Sequence, residues 1–243
     1  MCYNISLIKD VDRLELRFVA RFADRSLYQQ MHHVSAFLFP AWPVITDKAP
    51  NLIQFFHWGL IPSWAKDKTE ANKIKVRTLY ARSETVTLKP AYRDSIRNKR
   101  CLVLTDGFYE WHEKNNKKYP FHIRLKSREA FAMAGIWDTW EDKEEEKTLN
   151  TFSIVTTKAN PLLARIHNSK ERMPVILKQE DEKKWISGDF DMAEMGSILV
   201  PYDEGEMEAF PVSRLLSSKA RNTNVPEVMA PFQYGDLTEI KLL

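Results

Sequence analysis

The chain is poor in glycine, with seven in 243 residues, and it carries only two cysteines. Dinucleotide folds and phosphate loops need glycines where the backbone closes on a phosphate, and no such motif occurs. Cys-x-x-Cys pairs, a His-Glu-x-x-His helix and a Gly-x-Ser-x-Gly elbow are absent too. The six histidines lack ligand spacing, so neither a metal nor another cofactor is expected. No apolar run approaches the roughly 20 residues that a bilayer span needs. The first ten residues, MCYNISLIKD, hold no basic segment followed by a long apolar one. A cytoplasmic protein with no membrane contact is therefore predicted, with Cys2 and Cys101 as free thiols.

What is present suits a sizeable core. Hydrophobic residues make up 44% of the chain and charged residues 28%, with thirteen phenylalanines and seven tryptophans as large core pieces. The length fits one domain, taken as residues 2–243. The net charge of +3 hides an asymmetry: residues 66–100 hold eleven Lys/Arg against four Asp/Glu, while residues 178–209 hold three lysines against ten acids. Segregation of this kind, with aromatics nearby, is the footprint of a nucleic-acid surface, although a solvated mixed face gives the same count.

In chain order, apolar Val11, Leu14, Phe18 and Phe22 predict an amphipathic helix over 11–22. His32 and His33 are adjacent on a strand, so they point to opposite faces, one buried and bonded and the other solvated. Leu52 to Trp58 reads as a strand turned by Gly59 and Pro62, with Trp58 and Trp64 either as core filling or as stacking platforms for unpaired bases. The basic stretch predicts helices over 67–75, 83–89 and 90–98, with Ser83 or Thr87 as caps, around an irregular link that holds Tyr80 and Arg82. Arg82 there either binds a phosphate or forms a structural salt bridge.

RCLVLTDGFYEW, residues 100–111, reads as strand, Asp-Gly turn, strand. Glu110 is the odd member, an acid among Phe108, Tyr109 and Trp111. Burial against aromatics raises a carboxyl pKa and makes a proton shuttle; an edge-strand glutamate in water is the plainer account. Strands follow at 119–125, 130–137 and 152–157. A short helix begins at Ala159-Asn160-Pro161 and delivers His167 on a link to a strand at 172–177. A helix near 180–187, the strand EAFPVS and a polar tail close the chain. Strands outnumber helices and join through short turns, so an α+β fold with a mostly antiparallel sheet is expected.

Cys2 becomes the N-terminal residue once Met1 is trimmed. Its α-amine and thiol have ordinary pKa values of about 8 and 8.5, so both are partly deprotonated near neutrality. That pair suits an aldehyde, which the amine takes as an imine and the thiolate closes to a thiazolidine.

Five stretches together, Met1-Cys2, WGLIPSWAKD (58–67), ARSET (81–85), RCLVLTDGFYEW (100–111) and HNSKERMPVIL (167–177), resemble the SOS-response-associated peptidase (SRAP) family in order and spacing, over residues 2 to about 215. The resemblance implies a single α+β domain with a strongly bent, barrel-like antiparallel sheet flanked by short helices. It implies binding of single-stranded DNA and capture of abasic sites by Cys2 as a thiazolidine cross-link, with associated lyase-type imine chemistry and self-processing peptidase activity. Glu110 is then the acid/base, His167 the proton donor and Tyr80 a residue lining the site, at a position where the family pattern has asparagine. The expected DNA contacts are Arg82, Lys66 and Arg172, with Trp58 and Trp64 as stacking surfaces. The expected partner is single-stranded DNA with abasic sites, met by a monomer at the nucleoid. Two other functions fit the same residues: a cysteine hydrolase pairing Cys2 or Cys101 with His167 and Glu110, and a noncatalytic single-stranded DNA-binding module.

Overall fold

The computed structural model describes residues 3–187, 191–217 and 222–237. Among the described residues thirteen strands carry the fold: β1 (Asn4–Leu7), β2 (Arg21–Phe22), β3 (Met31–Ser35), β4 (Ala41–Thr46), β5 (Ala49–Trp58), β6 (Tyr80–Arg82), β7 (Arg100–Thr105), β8 (Gly107–Lys114), β9 (Lys117–Leu125), β10 (Phe131–Asp142), β11 (Lys147–Lys158), β12 (Arg172–Pro174) and β13 (Met207–Pro211). Five of them close a barrel. Antiparallel pairing runs from β11 through β10, β7 and β4 to β5, and β5 returns to β11 in parallel through His57 opposite Thr151 and Trp58 opposite Phe152. Closure leaves no open edge in the ring. A second antiparallel sheet, in the order β13-β9-β8-β1-β3, stands against the barrel.

The barrel is held by its inward apolar residues. Val44, Val103, Met133 and Ile154 are all fully enclosed, as their β-branched or flexible shapes suit a closed sheet. Short helices flank it: α1 (Val11–Phe18), α2 (Lys68–Lys75), α3 (Ser95–Asn98), α4 (Pro161–Ile166), α5 (Gln179–Trp185) and α6 (Met195–Ile198). Among the described residues no helix is long and apolar enough to cross a membrane.

Several sequence expectations change here. Helix α1 is capped by Asp10, which accepts from Arg13 N, and it buries Leu14 and Phe18, but it stops at Phe18 rather than Phe22. Val19 turns left-handed at φ 51° and sends Phe22 into β2, a turn that a β-branched residue does not advertise. Of the three basic helices, only α2 has its expected span, capped by Asp67. Residues 83–94 are turns, and helix resumes only at Ser95, past Pro90. The link holding Tyr80 is a short strand, β6, laid parallel on β11. The strand expected at 172–177 is regular only as far as Pro174.

The Asp-Gly step is not a hairpin. β7 belongs to the barrel and β8 to the second sheet, with Asp106 alone between them. The Asp106 carboxylate accepts from Ser6 Oγ at 2.8 Å and from Ile8 N at 2.6 Å, which ties β1 to this corner. Gly107 is required because a Cβ there would run into the imidazole of buried His122. Gly59 is required for a different reason: its φ of 112° ends β5 in a conformation that other residues adopt only under strain.

The last described segment, residues 222–237, packs as well. Val228 is fully buried with Tyr109, Val212 and Leu216, and Tyr119 donates to Asp236 at 2.7 Å.

Candidate active site

Glu110 and His167, 57 residues apart in sequence, meet at a cleft of about 310 Å³. Strand β8 presents Glu110, 2% exposed, between Tyr109 and Trp111. His167 ends α4, whose N-cap Asn160 accepts from Leu163 N at 2.8 Å. Two further contacts fasten the last turn of α4 and the link after it onto β8. Asn168 and Glu113 exchange hydrogen bonds, with Glu113 N donating at 3.0 Å and Asn168 Nδ2 returning one at 2.9 Å, and His112 Nδ1 donates to Arg165 O at 2.9 Å. An amide side chain that satisfies both backbone groups of one residue fixes a loop much as a strand would.

His167 Nδ1 lies 3.4 Å from Glu110 Oε1 and 3.1 Å from Arg172 O. A carbonyl only accepts, so Nδ1 carries the ring proton and Nε2 the lone pair. Burial shifts the two groups in opposite directions. Desolvation pushes the Glu110 carboxyl up to about 8, and it drives His167 down to about 4. Near neutral pH the pair is thus a carboxylic acid beside a neutral imidazole, one donor and one acceptor.

Tyr3, Asn4, Trp111, Lys118, Ser169 and Lys170 also line the cleft. None of these six was singled out from sequence; for Tyr3 and Asn4 the signal was adjacency to Cys2. Tyr3 is the first described residue, and its carbonyl accepts from Ala36 N at 2.8 Å. Its phenol pKa is raised by burial and by the Glu110 charge, and lowered by Arg82, so all three share one field. Cys2 itself lies outside the described residues.

The remaining expected site residues divide. Tyr80 is buried, with its ring edge-on to Tyr3 at 5.1 Å and 5.7 Å from Trp58, and its carbonyl accepts from Tyr92 OH at 3.0 Å. Arg82 is exposed at the end of β6, next to the strand pair that holds Arg172. Trp58 is no stacking platform: it is fully buried on Phe152 at 5.8 Å, and its indole donates to Leu79 O at 2.9 Å. Trp64 is 47% exposed but faces a separate small hollow with Pro62, Pro90, Asn98 and Lys99. Lys66 is exposed on the same flank, its backbone N–H bonded to Glu70. Arg172 is not a surface cation. Its guanidinium grips Glu84 and donates to Thr156 O at 2.8 Å with a side chain 13% exposed. Cys101 is 0% exposed and burial pushes its thiol well above the ordinary value, which removes it as a nucleophile. Among the described residues no group of three or more His, Cys, Asp or Glu could hold a metal ion.

The family model described as "SOS response associated peptidase (SRAP)" matches residues 1–219. The chain is 38% identical over 234 residues to the abasic site processing protein YoqW of Bacillus subtilis (strain 168), covering 94% of this chain and 99% of that protein. It is 31% identical over 204 residues to the abasic site processing protein HMCES of Xenopus tropicalis, covering 76% of this chain and 58% of that protein. A crystal structure of a protein from Bacteroides thetaiotaomicron superposes with a TM-score of 0.90 at 35% identity, over 96% of this chain and all of the other.

Proposed function

The chain belongs to the SOS response associated peptidase (SRAP) family, and from that membership we propose that it processes abasic sites in DNA. The proposed chemistry is covalent capture of the site by Cys2 once Met1 is removed. The observation that carries this reading is the buried Glu110–His167 pair in a cleft lined by Tyr3, because Cys2 is bonded to Tyr3 and consecutive Cα atoms lie about 3.8 Å apart.

An abasic deoxyribose reacts as its open aldehyde. Ring opening takes a proton from the anomeric hydroxyl and returns one to the ring oxygen. Neutral His167, with its lone pair on Nε2, is suited to the first of these. The family resemblance assigned His167 the role of donor; burial and the Arg172 carbonyl favour acceptor in the forward step and donor only in the reverse. The Cys2 amine then adds to the aldehyde carbon. Glu110, held as the neutral acid, protonates the departing hydroxyl, and water leaves as the protonated imine forms beside the Glu110 carboxylate. The resulting carboxylate accepts the thiol proton as sulfur adds to the same carbon, closing the thiazolidine with one water lost overall. Acid–base help of this type contributes about two to four orders of magnitude in rate.

A duplex would bury the abasic carbon, so an unpaired strand is the proposed substrate. Exposed Arg82, with Lys170 at the cleft, provides cations for its phosphates, whereas Lys118 is paired with Glu113 at 3.2 Å. The test is to incubate trimmed protein with single-stranded DNA carrying one abasic site and resolve the products under denaturing conditions. A slow-migrating band is expected, and its persistence in Cys2→Ala overturns the assignment of the nucleophile. Lyase activity through the imine alone is expected where the thiol is missing but the amine is kept, as in Cys2→Ser.

A further inference from the structure

Residues 222–237 lie beyond the family-matched span of 1–219, yet they reach back to the cleft. Three side chains form the connection. Thr223 Oγ1 lies 2.7 Å from His33 Nδ1, and His33 Nε2 lies 2.8 Å from Oδ1 of Asn4, a residue that lines the cleft. The amide oxygen of Asn4 accepts only, so Nε2 must carry the ring proton, which leaves Nδ1 to accept from the Thr223 hydroxyl. The Thr223 hydroxyl thus holds the His33 ring in the orientation in which Nε2 donates to Asn4. His33 is 8% exposed and edge-on to Tyr109, the residue before Glu110, with ring centroids 5.6 Å apart. Nearby, Asn224 Oδ1 accepts from His32 N at 2.7 Å, and His32 O accepts from Tyr109 OH at 2.6 Å, so the same segment is bonded to the backbone of β3.

The backbone explains why this matters. Asn4 is the first residue of β1 and is paired on both sides, with Ser35 of β3 and Tyr109 of β8. Strand ends fray unless something holds them. Here the end two residues before Asn4 is the one that must meet Glu110.

We propose that Thr223 and His33 are positioning residues of the active site, through which the C-terminal segment holds Asn4 and aims the N-terminal residues at Glu110. The proposal rests on the cross-linking function for its consequence, but the positioning itself is measurable without DNA. A misplacement of about 1 Å at a reacting group costs up to about a hundredfold in rate.

The experiment compares wild type, Thr223→Val and Thr223→Ser, all as full chains with Met1 removed. In Thr223→Val, hydrogen exchange at the Asn4 and Ala36 amides is expected to accelerate while β10 and β11 amides do not change. The maximal cross-linking rate at saturating abasic single-stranded DNA is expected to fall about ten- to a hundredfold with half-saturation unchanged. Thr223→Ser is expected to restore both. Wild-type exchange at Asn4 and Ala36 in Thr223→Val overturns the proposal, as does accelerated exchange spread evenly over the barrel. Absence of any cross-link in wild type overturns the cross-linking function instead, and the exchange result still decides the positioning.

Discussion

His167 Nδ1 sits 3.4 Å from Glu110 Oε1, with both side chains under one tenth exposed. Two ionisable groups are brought together in a place where burial keeps each of them neutral. Such an arrangement costs stability relative to solvated charges, and its chemical use is to have a donor and an acceptor ready at the same pH.

The first consequence concerns rate and pH. Glu110→Gln keeps the shape and removes the transferable proton. It is expected to slow cross-linking about a hundredfold or more while DNA binding persists. In the proposed mechanism the acid form of Glu110 acts, and burial pushes its carboxyl up to about 8, so the ratio of wild-type to Gln rates is expected to shrink above that pH. A ratio independent of pH from 6 to 9.5 would show that Glu110 transfers no proton, and a stopped series of gel assays measures it.

Stability should report the same shifts with opposite signs. Glu110 has a folded value raised from 4.5 to about 8, so its contribution is fully present below 4.5 and is lost as pH rises toward 8. His167 is depressed from 6.5 to about 4, so its contribution is fully present above 6.5 and is lost as pH falls through 4. Thermal midpoints of Glu110→Gln minus wild type are therefore expected to rise between pH 4.5 and 8. A flat difference across that window contradicts the burial of an acid.

The two arginines of the motifs should separate by assay. Arg82→Ala is expected to weaken DNA binding and reduce the salt slope by about one phosphate contact, with little change in stability. Arg172→Ala removes the partner of Glu84 and Thr156 and is expected to destabilise the fold by about 1–3 kcal/mol. Salt titrations and chemical unfolding distinguish the outcomes, and a salt-slope effect at Arg172 alone would reverse the assignment.

The tryptophans of WGLIPSW should separate likewise. Trp58→Ala is expected to cost about 3–5 kcal/mol through the cavity it leaves on Phe152. Trp64→Ala, half exposed, is expected to change stability by no more than about 0.5 kcal/mol. Equal destabilisation of both would contradict the burial assigned to them.

The sequence disclosed most where a residue type conflicted with its neighbours. An acid within Phe-Tyr-Glu-Trp and a histidine just past a capped helix stood out, and these two meet. Mostly antiparallel strands and a bent sheet were also legible, the bend from the family resemblance. Other features left no local signal. Nothing in an indole says that Trp58 fills the core while Trp64 faces solvent. Val19 ends α1 in a left-handed turn that favours glycine, so the apolar spacing ran four residues too far. Asp106-Gly107 has hairpin chemistry, but each strand found a longer partner elsewhere, β10 for β7 and β9 for β8. The contacts from Thr223 to Asn4 span most of the chain, and no periodicity encodes them.

The central claim is that one terminal residue supplies both nucleophiles. Its most direct test is intact-mass and peptide mapping of the product formed with single-stranded DNA carrying one abasic site, without a reducing trap. The expected species is the chain lacking Met1 plus the DNA less one water, with the linkage on Cys2. A trimmed chain that stays unlinked, or a linkage mapped to any other residue, would contradict it.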